Sequence, residues 1–474
     1  MGNTVIVGTG VSGLLSALIL TQKKSSTKIY LLDKSSEPGG LLRAFDYGKF
    51  GKFDYGMHNM LETSIPELDK LIFDLLPENE WQLLKDNKRD LAGIYFNGKL
   101  QKETPYFDLR NLPENEYKKS IADLFGHIEK KVKNNSSDIK NGSAREFAYS
   151  RFGKDVAEKT IIPSVEKIHQ KSADELDYMA TIFTPMTRLA LFDEQLVKDL
   201  TLSPILRDYI AYVDQRNLPL ERSTGRKAYY PIKYGMYRIV EALKNKLEAY
   251  GVEFLLESEV KAINSSNNSI TEVEVKTPKG DLKITNIDNF IWTGNIPLLG
   301  RLMGAKFDGL KNDKPLKTVI ISFLLDKKLA MDDLYYFFCY DKKFNTYRLT
   351  NFPSYCSGAH WAGGYPISME FLVSEEFIKS TPSIEKLAEQ ELFQFGVTQP
   401  DTKVLFSKAE VLESGFPMPS LNNINGVKNI RNQIKAMNIS NLLTLGILAE
   451  DNLFFQTDVL IDTYKKLTQK NGIK

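Results

Sequence analysis

Hydrophobic residues near the N-terminus fall into two patterns that meet at a short glycine-rich segment. The run VIVGTGVSGLLSALIL, from Val5 to Leu20, begins with β-branched residues and continues as an apolar helical stretch. A second apolar run, KIYLL, follows and ends at Asp33. Continuous apolar runs are typical of buried parallel strands, and glycines between such a strand and a helix indicate a tight turn. The pattern therefore predicts a strand, a glycine turn, a helix and a second strand with an acid at its tip.

Three glycines in this turn are spaced as in dinucleotide-binding loops. Gly8 can make the tight turn, Gly10 lets the main chain approach a pyrophosphate, and Gly13 lets the helix pack on the strand. The first N–H groups of the helix, at Val11 and Ser12, would then point at the phosphates. A plain turn between strand and helix is the alternative, because glycine-rich loops are common.

Asp33 indicates which dinucleotide would fit. It lies at the position where a carboxylate can accept hydrogen bonds from both hydroxyls of an adenosine ribose, and where it would repel a 2′-phosphate. We therefore predict a non-phosphorylated dinucleotide, and we include the adjacent Lys34 in the cofactor site.

Two segments after Asp33 narrow the cofactor further. The segments EPGGLLR, from Glu37 to Arg43, and FDYGMH, from Phe53 to His58, resemble the second signature of the flavin amine oxidase superfamily. That superfamily includes protoporphyrinogen oxidases, phytoene desaturases and UDP-galactopyranose mutases. The resemblance implies that the cofactor is FAD. Neither Cys339 nor Cys356 lies near a motif that anchors flavin covalently in the monoamine oxidases, so we expect the FAD to be bound non-covalently. The residues that the resemblance places at the cofactor are Gly39, Gly40, Leu41, Arg43 and His58.

Later segments resemble the same superfamily, so the likeness extends over most of the chain. The stretch from Tyr229 to Ile263 is similar to the strand, turn and helix that lead to the adenine-binding strand, which places the backbone of Val260 at the adenine. The segment that contains Thr293 and Gly294 resembles the strand end beside the adenosine half of FAD. In the run PIKYG, from Pro231 to Gly235, the first of the usual two glycines is missing.

The C-terminal pattern resembles the last flavin-binding motif of the superfamily. The pattern predicts a strand from Asn441 to Leu445 that is followed by Gly446. After a loop, Thr457 can cap a helix that has a periodic apolar face. By this resemblance the helix N-terminus stabilises negative charge on a reduced flavin, and Gln456 and Thr457 contact its pyrimidine edge. An ordinary helix packed on a sheet is the alternative. The helix residues expected to face inward are Val459, Leu460, Ile461, Tyr464 and Leu467.

These segments predict an α/β fold with a discontinuous, Rossmann-like FAD-binding domain of the glutathione reductase type. Its pieces are residues 1–77, 229–300 and 425–474. Helical spacing predicts a mostly helical insertion at 78–228, and strand-like runs predict an α+β substrate-binding insertion at 301–424 whose sheet covers the flavin. No later glycine pair follows the strand–turn–helix pattern, so we predict no nicotinamide domain.

Composition fits a globular protein with more than one domain. The chain has 474 residues, of which 42% are hydrophobic and 26% charged, and its formal net charge of +2 argues against a nucleic-acid partner. Two cysteines and the lack of a signal or membrane-spanning run predict a protein of the reducing cytoplasm. The segment from Met179 to Val213 is moderately apolar. It could pack in the core, form a homodimer contact or contact a membrane surface, and the sequence leaves these three alternatives open.

Three functions are compatible with these motifs. The first is an FAD-dependent oxidoreductase that takes hydride equivalents from a small molecule, with His58 near the isoalloxazine; a histidine without a catalytic part is the alternative. The second is a nucleotide-sugar mutase of the UDP-galactopyranose mutase type, in which reduced FAD acts. That family has a phosphate-binding arginine where this chain has Ile447, so the oxidoreductase ranks first. The third is a flavin-binding partner subunit without catalysis. Tyr229, Tyr230 and Tyr234 form either an aromatic wall at the flavin or a packed turn.

Overall fold

The structure is a computed structural model that describes residues 2–23, 27–84, 91–184, 186–219, 226–412, 415 and 417–469. Its strands belong to two main sheets and several short ones. In chain order the strands are β1 Asn3–Val7, β2 Lys28–Leu32, β3 Ala44–Asp46, β4 Lys52–Asp54, β5 Met60–Leu61, β6 Trp81–Leu83, β7 Ala92–Phe96, β8 Lys99–Gln101, β9 Phe107–Asp108, β10 Leu189–Ala190, β11 Ala228–Pro231, β12 Glu253–Leu255, β13 Glu259–Ser266, β14 Ser269–Thr277, β15 Gly280–Thr285, β16 Ile287–Trp292, β17 Lys317–Leu325, β18 Tyr336–Cys339, β19 Thr346–Asn351, β20 Tyr365–Val373, β21 Val404–Leu412 and β22 Leu442–Thr444.

The helices pack against these sheets or against one another. In chain order they are α1 Val11–Gln22, α2 Pro66–Phe73, α3 Glu114–Lys133, α4 Ala144–Phe152, α5 Lys154–Val156, α6 Ile162–His169, α7 Met179–Ile182, α8 Glu194–Leu200, α9 Pro204–Tyr209, α10 Tyr237–Ala249, α11 Ile296–Leu302, α12 Glu375–Ser380, α13 Ile384–Gln394, α14 Leu421–Ala436 and α15 Gln456–Thr468. A π-helical turn at Ala157–Ile161 joins α5 to α6. Local signals set several starts, such as the Ser143 hydroxyl and the Glu146 side chain, which form a capping box at α4.

A five-stranded parallel sheet, in the order β12-β2-β1-β16-β22, forms the first half of the molecule. Its central strands are apolar because both faces are covered. Ile6 and Ile291 pack under α1, α10 and α15, whereas Val5 and Phe290 pack against the β13-β14-β15 meander, α11 and α14. This three-layer arrangement confirms the α/β, Rossmann-like fold. The sheet takes strands from all three segments that the sequence assigns to the cofactor domain.

A seven-stranded mixed sheet, in the order β21-β17-β20-β19-β18-β7-β8, forms the second half. Strands β7 and β8 come from residues 78–228, and β7 pairs in parallel with β18. The sequence prediction separated a helical insertion from a sheet insertion, whereas the structure joins both in one sheet. The reason is that β7 is a short apolar run whose partner lies more than two hundred residues away, so the local pattern could not reveal the pairing.

The region from Met179 to Val213 packs mainly into the helical part of the molecule. Tyr209, Ile210 and Tyr212 join the buried cluster there, whereas Leu202 is largely exposed at the turn after α8. Within the described ranges, every helix is too short or too polar to cross a membrane. A homodimer contact or a membrane contact through this region stays a prediction.

Candidate functional site

The glycine turn after β1 is held by two tight contacts. Gly8 has a φ of +104°, which favours glycine, and its N–H donates to the carbonyl of Leu32 at 2.7 Å. A side chain at Gly13 would overlap the carbonyl oxygen of Gly8, and one at Gly8 would overlap the hydroxyl of Thr293. Gly8 and Gly13 are therefore required by the fold itself.

Gly10 is different, because nothing in the protein requires a glycine there. An added Cβ would meet no atom within 4 Å, and the φ of −69° suits any residue. Helix α1 begins at Val11, directly after Gly10, with no side-chain cap and no acidic residue in its first turn. The first N–H groups of α1, among them that of Ser12, lie at the positive end of the helix, directly after Gly10. A pyrophosphate fits this space and these donors.

The double glycine segment lies directly over this turn. Gly39 and Gly40 have φ values of +119° and +57°, and Gly39 donates to the carbonyl of Thr9 at 2.9 Å. A Cβ on Gly40 would lie 3.1 Å from the Cα of Gly10. The Arg43 guanidinium donates through Nε to the carbonyl of Gly40 at 3.0 Å, which shapes the loop. Two glycine segments that are thirty residues apart in the chain therefore border one groove.

Asp33 at the end of β2 binds the glycine turn as well as facing the predicted ribose. Its Oδ2 accepts the Thr9 N–H at 2.7 Å and the Thr9 hydroxyl at 2.6 Å, and its Oδ1 accepts the Ser35 N–H at 2.9 Å. A carboxylate accepts about four hydrogen bonds, so one position remains free rather than the two that both ribose hydroxyls need. The Thr9 hydroxyl could supply the second contact by rotating. Thr9 is a site residue that the motif does not identify.

Two further predicted residues lie beside Asp33. The carbonyl of Asp33 accepts the Ser258 N–H at 2.8 Å, which brings the start of β13 and the buried Val260 to this end of the sheet. Lys34 is exposed next to Asp33. The structure therefore brings Val260 and Lys34 to the side of the groove where the adenosine is predicted.

The ends of three parallel strands meet at the other side of the turn. Thr293, after β16, donates from its N–H and its hydroxyl to the carbonyl of Val7 at 2.9 Å each. Gly446, after β22, has a φ of +91°, and a Cβ there would lie 2.9 Å from the carbonyl oxygen of Thr293. A Cβ on Gly294 would make only ordinary contacts with the Trp292 ring. The carboxyl ends of parallel strands are where this kind of sheet binds ligands.

Helix α15 joins the same groove from the C-terminal end of the chain. The helix begins at Gln456 after Phe455, without a side-chain cap, and Thr457 lies buried inside its first turn. The prediction that Thr457 caps the helix is therefore wrong, because Thr457 lies two residues past the N-cap position, which Phe455 occupies. The Thr463 hydroxyl donates to that of Ser12 at 3.2 Å, which fixes α15 on α1, and Gln456 reaches the carbonyl of Asn59 at 3.4 Å.

Large apolar side chains are exposed on the loops that border the groove. Leu41 follows the double glycine, Ile447 follows Gly446, and Phe455 precedes α15; their exposed fractions are 38%, 41% and 45%. Solvent exposure of such residues around one concave region is typical of a ligand site. The three loops therefore offer apolar contacts beside the polar donors of α1.

His58 lies at the far end of the groove, close to the seven-stranded sheet. Its Nε2 is 3.2 Å from the carbonyl of Tyr55. Since a carbonyl only accepts, Nε2 must carry the proton and Nδ1 is left as an acceptor. Burial, followed by the charge of Arg348, lowers the pKa of His58 to about 4. At neutral pH this imidazole is uncharged and can accept a hydrogen bond, but it is not a proton donor to a reaction.

A buried ion pair lies under the His58 loop. Arg348 on β19 binds Glu370 on β20 in a bidentate way, with Nε–Oε1 and Nη2–Oε2 distances of 2.7 and 2.9 Å. A Cβ on Gly56, whose φ is +83°, would lie 2.7 Å from Glu370 Oε1. Motif reading misses this pair, because Arg348 and Glu370 carry no signature and meet only through the pairing of their strands.

The tyrosine cluster is part of the core rather than an aromatic wall. Tyr230 is fully buried and donates to Asp54 Oδ2 at 2.6 Å, and the hydroxyl of Tyr234 accepts the Asp54 N–H at 2.9 Å. Tyr229 packs edge-on against Phe73. Asp54 also accepts the Met236 N–H at the start of α10, and burial raises the pKa of Asp54 to about 7. Of the two alternatives, the packed turn is correct.

Both cysteines are free and buried. Burial raises the pKa of Cys339 to about 11 and that of Cys356 to about 12. Neither is a thiolate at neutral pH, so neither is an activated nucleophile.

Comparisons with known proteins agree with this geometry. A model of the NAD(P)-binding Rossmann-like domain matches residues 6–75. The 1-hydroxycarotenoid 3,4-desaturase of Flavobacterium sp. (strain P99-3) is 25% identical over 301 residues, which are 61% of this chain and 57% of that protein. Reduced UDP-galactopyranose mutase superposes with a TM-score of 0.72 at 17% identity, over 98% of this chain and 94% of its own. A protein assigned as a protoporphyrinogen oxidase, from Exiguobacterium sp. 255-15, gives 0.67 at 17% identity, over 98% and 97%.

The chain has the same fold as UDP-galactopyranose mutase and the protein assigned as a protoporphyrinogen oxidase, and its N-terminal segment is a Rossmann-like dinucleotide-binding domain. The groove built by β1, α1 and the double glycine is accordingly that of a flavin or another nucleotide cofactor. The proteins named above are two oxidoreductases and one mutase by their names, so this fold serves more than one reaction. The match to the desaturase spans little more than half of that enzyme, and the substrate therefore has to be argued from the site.

Proposed function

We propose that this protein is an oxidoreductase that binds FAD non-covalently and oxidises a small molecule by hydride transfer to the flavin. The observation that carries the proposal is the groove over Gly10. It is open where a Cβ on Gly10 would stand, a Cβ on Gly40 would come within 3.1 Å of the Gly10 Cα, and the uncapped helix α1 begins at Val11, directly after Gly10. This combination suits a pyrophosphate and serves no purpose in folding.

The residues around the groove divide the binding of FAD among them. The N–H groups of Val11 and Ser12 would hold the pyrophosphate, and Asp33 with Thr9 would hold the ribose. The N-terminus of α15, with Gln456, would face the pyrimidine edge and favour negative charge there. FAD, when bound, supplies the hydride-accepting chemistry. The protein orients the substrate, and His58 offers Nδ1 as an acceptor next to the ring system.

Non-covalent binding follows from the side chains of the site. Both thiols are buried and protonated, and Cys356 approaches the backbone carbonyl of Ile232 at 3.4 Å in the tyrosine cluster, away from the groove. We expect acid or heat to release the flavin from the polypeptide. A flavin that stays on the denatured chain would contradict this expectation.

A nucleotide-sugar mutase is the second candidate, and one observation favours it. Superposition on UDP-galactopyranose mutase gives a TM-score of 0.72 over almost the whole chain. Against it stands Ile447, which is half exposed on the loop after Gly446 and cannot make the bidentate phosphate contacts of an arginine. The sequence relative of known activity is a desaturase. We therefore place the oxidoreductase first.

One anaerobic experiment separates the two. FAD-loaded oxidised protein is mixed with protoporphyrinogen and with a 1-hydroxycarotenoid, and bleaching of the flavin is followed. In parallel, dithionite-reduced protein is incubated with UDP-galactopyranose, and the ring size of the product is determined. Bleaching without an added reductant supports the oxidoreductase, whereas ring contraction by the reduced protein alone supports the mutase. If neither occurs over a wide panel, the reading as a non-catalytic flavin subunit gains support.

A further inference from the structure

The loop between β22 and α15 borders the groove and contains an unusual backbone conformation. It runs from Gly446 to Phe455, and we call it the 446–455 loop. Leu448 within it has a φ of +60°, in the left-handed region that favours glycine. A bulky residue at a positive φ is rare and costs free energy, so other contacts must hold it there. Strain of this kind clusters at sites that bind ligands.

A buried arginine on α14 supplies such contacts. Arg431 is only 5% exposed, and its Nη1 donates to the carbonyl oxygen of Leu448 at 3.1 Å. Its Nη2 binds the carboxylate of Asp451, three residues further along the loop. The Leu448 N–H in turn donates to the carbonyl of Leu453 at 2.8 Å, which closes the loop on itself. The guanidinium therefore holds the strained residue and the turn that follows it.

Stability alone does not explain why this charge is buried. Taking a guanidinium out of water costs more than most ion pairs return, and the Asp451 side chain is itself 62% exposed. An apolar side chain such as methionine would fill position 431 without that cost. Lys435, one turn further along α14, shows the usual surface arrangement, because it is exposed and binds Glu450 of the same loop at 2.9 Å. What distinguishes Arg431 is its bond to the backbone of Leu448.

The far end of the 446–455 loop is held by the helical part of the molecule. The Tyr178 hydroxyl donates to Oδ1 of Asn452 at 2.8 Å. The ring of Phe454 stacks on that of Phe183, with centroids 3.7 Å apart. The residue after Phe454 is the N-cap of α15. The position of the α15 N-terminus therefore depends on the conformation of this loop.

We propose that Arg431 is a positioning residue for the flavin, which holds Leu448 in the left-handed conformation before the cofactor binds and so fixes the N-terminus of α15 at the pyrimidine edge. The inference rests on the proposed function, because that function places the flavin against α15. Without the guanidinium, the loop of the apoprotein relaxes to a negative φ at Leu448, and FAD binding has to restore the strained conformation. A preorganised site binds more tightly because binding does not include that cost.

The test is a double-mutant cycle on Arg431→Met and Leu448→Gly, measured by a fluorescence titration of FAD. Arg431→Met should bind FAD about 10-fold more weakly than the wild type, which lies within the cost of one left-handed residue other than glycine. Glycine adopts a positive φ without strain, so Arg431→Met should weaken binding much less when Leu448→Gly is also present. Lys435→Met is the matched control. It removes an exposed ion pair between the same helix and the same loop, and FAD affinity should stay unchanged.

The second readout is the reduction potential of the bound flavin, which a purely structural role of Arg431 would not change. A helix N-terminus favours the negative charge of the reduced flavin, so the potential in Arg431→Met should be more negative than in the wild type.

Four results would each overturn the proposal: an unchanged FAD affinity in Arg431→Met, an unchanged potential, a loss that Leu448→Gly does not reduce, or an equal loss in Lys435→Met. If Arg431→Met does not fold, Asp451→Asn releases the exposed end of the ion pair instead, with the same expected direction and the same refuting results. A wild type that takes up no FAD would contradict the proposed function itself, and is recognised without any variant.

Discussion

Replacing Gly10 with alanine separates what the glycine turn does for folding from what it does for a cofactor. An added Cβ meets no atom within 4 Å, and the backbone at φ −69° accepts it without strain. The substitution therefore restricts the unfolded chain without a clash in the folded one, which adds about 0.4–1 kcal/mol of stability. Gly10 is also the N-cap of α1, where alanine is a poorer residue than glycine, and this offsets the gain. Gly13 is the matched opposite, because a Cβ there overlaps the carbonyl oxygen of Gly8.

The same methyl group occupies the surface that a pyrophosphate needs. Overfilling a close-packed contact costs about 1–3 kcal/mol. With about 1.4 kcal/mol for each factor of ten, FAD binding should weaken roughly 5- to 150-fold. Valine at position 10 should weaken it further. Gly126→Ala in α3 is the control, since a Cβ there also meets nothing within 4 Å and the residue lies outside the groove.

The assay combines thermal unfolding of the apoprotein with a fluorescence titration of FAD. We expect Gly10→Ala to unfold close to the wild-type temperature and to bind FAD weakly. Gly126→Ala should match it in stability and bind FAD normally, and Gly13→Ala should lose stability and binding together. Wild-type affinity for FAD in Gly10→Ala would refute the assignment of the pyrophosphate to this turn. A loss of stability in that apoprotein would refute the argument from open space.

Ionisable groups at and near the site give three more tests. Asp33→Asn weakens charged hydrogen bonds to Thr9 and the ribose, so FAD affinity, measured by titration, should fall by about 1.5–3 kcal/mol; unchanged affinity would place the ribose elsewhere. Asp54 has a folded pKa of about 7 against an ordinary 3.8. The unfolded chain loses this proton first as pH rises, so the free energy of unfolding should fall by about 3 kcal/mol between pH 4 and 7 relative to Asp54→Asn in urea unfolding, and a flat difference would contradict this. His58 has a folded pKa of about 4, below the ordinary 6.5, so the stability tied to its neutral form is present above pH 6.5 and lost toward pH 4. His58→Gln should remove that slope; an unchanged slope would exclude His58 as its source.

The sequence predicts those parts of the site that lie within a few residues of one another. The turn from Gly8 to Gly13 and the conformations of Gly39 and Gly40 depend on local backbone geometry, and glycine spacing reports that geometry directly. The parallel sheet was predictable for the same reason, since its strands are continuous apolar runs flanked by glycines or acids.

The sequence does not predict which distant strands pair with each other. Arg348 and Glu370 look like surface residues of alternating strands, and only their pairing buries them against Gly56. Strand β7 is a short apolar run, and its local sequence pattern does not indicate that it pairs with β18, which begins at Tyr336. Tertiary contacts also corrected one local prediction, since α15 starts one residue before Thr457, and they decided between the two alternatives for the tyrosines near Pro231, which turn inward to reach Asp54.

The order of strands in the parallel sheet has a consequence for the biogenesis of the protein. β1 lies between β2 and β16, and β16 in turn pairs with β22 near residue 443. A ribosome therefore completes the glycine turn hundreds of residues before it makes the strand and the α15 helix that border the same groove. Until β12 and β16 are made, the nascent pair of β1 and β2 has both of its edges unpaired, a state that exposes a growing chain to aggregation. Cofactor loading is in consequence a late step, and a chain cut before α15 should lack half of the groove however well its first seventy residues fold.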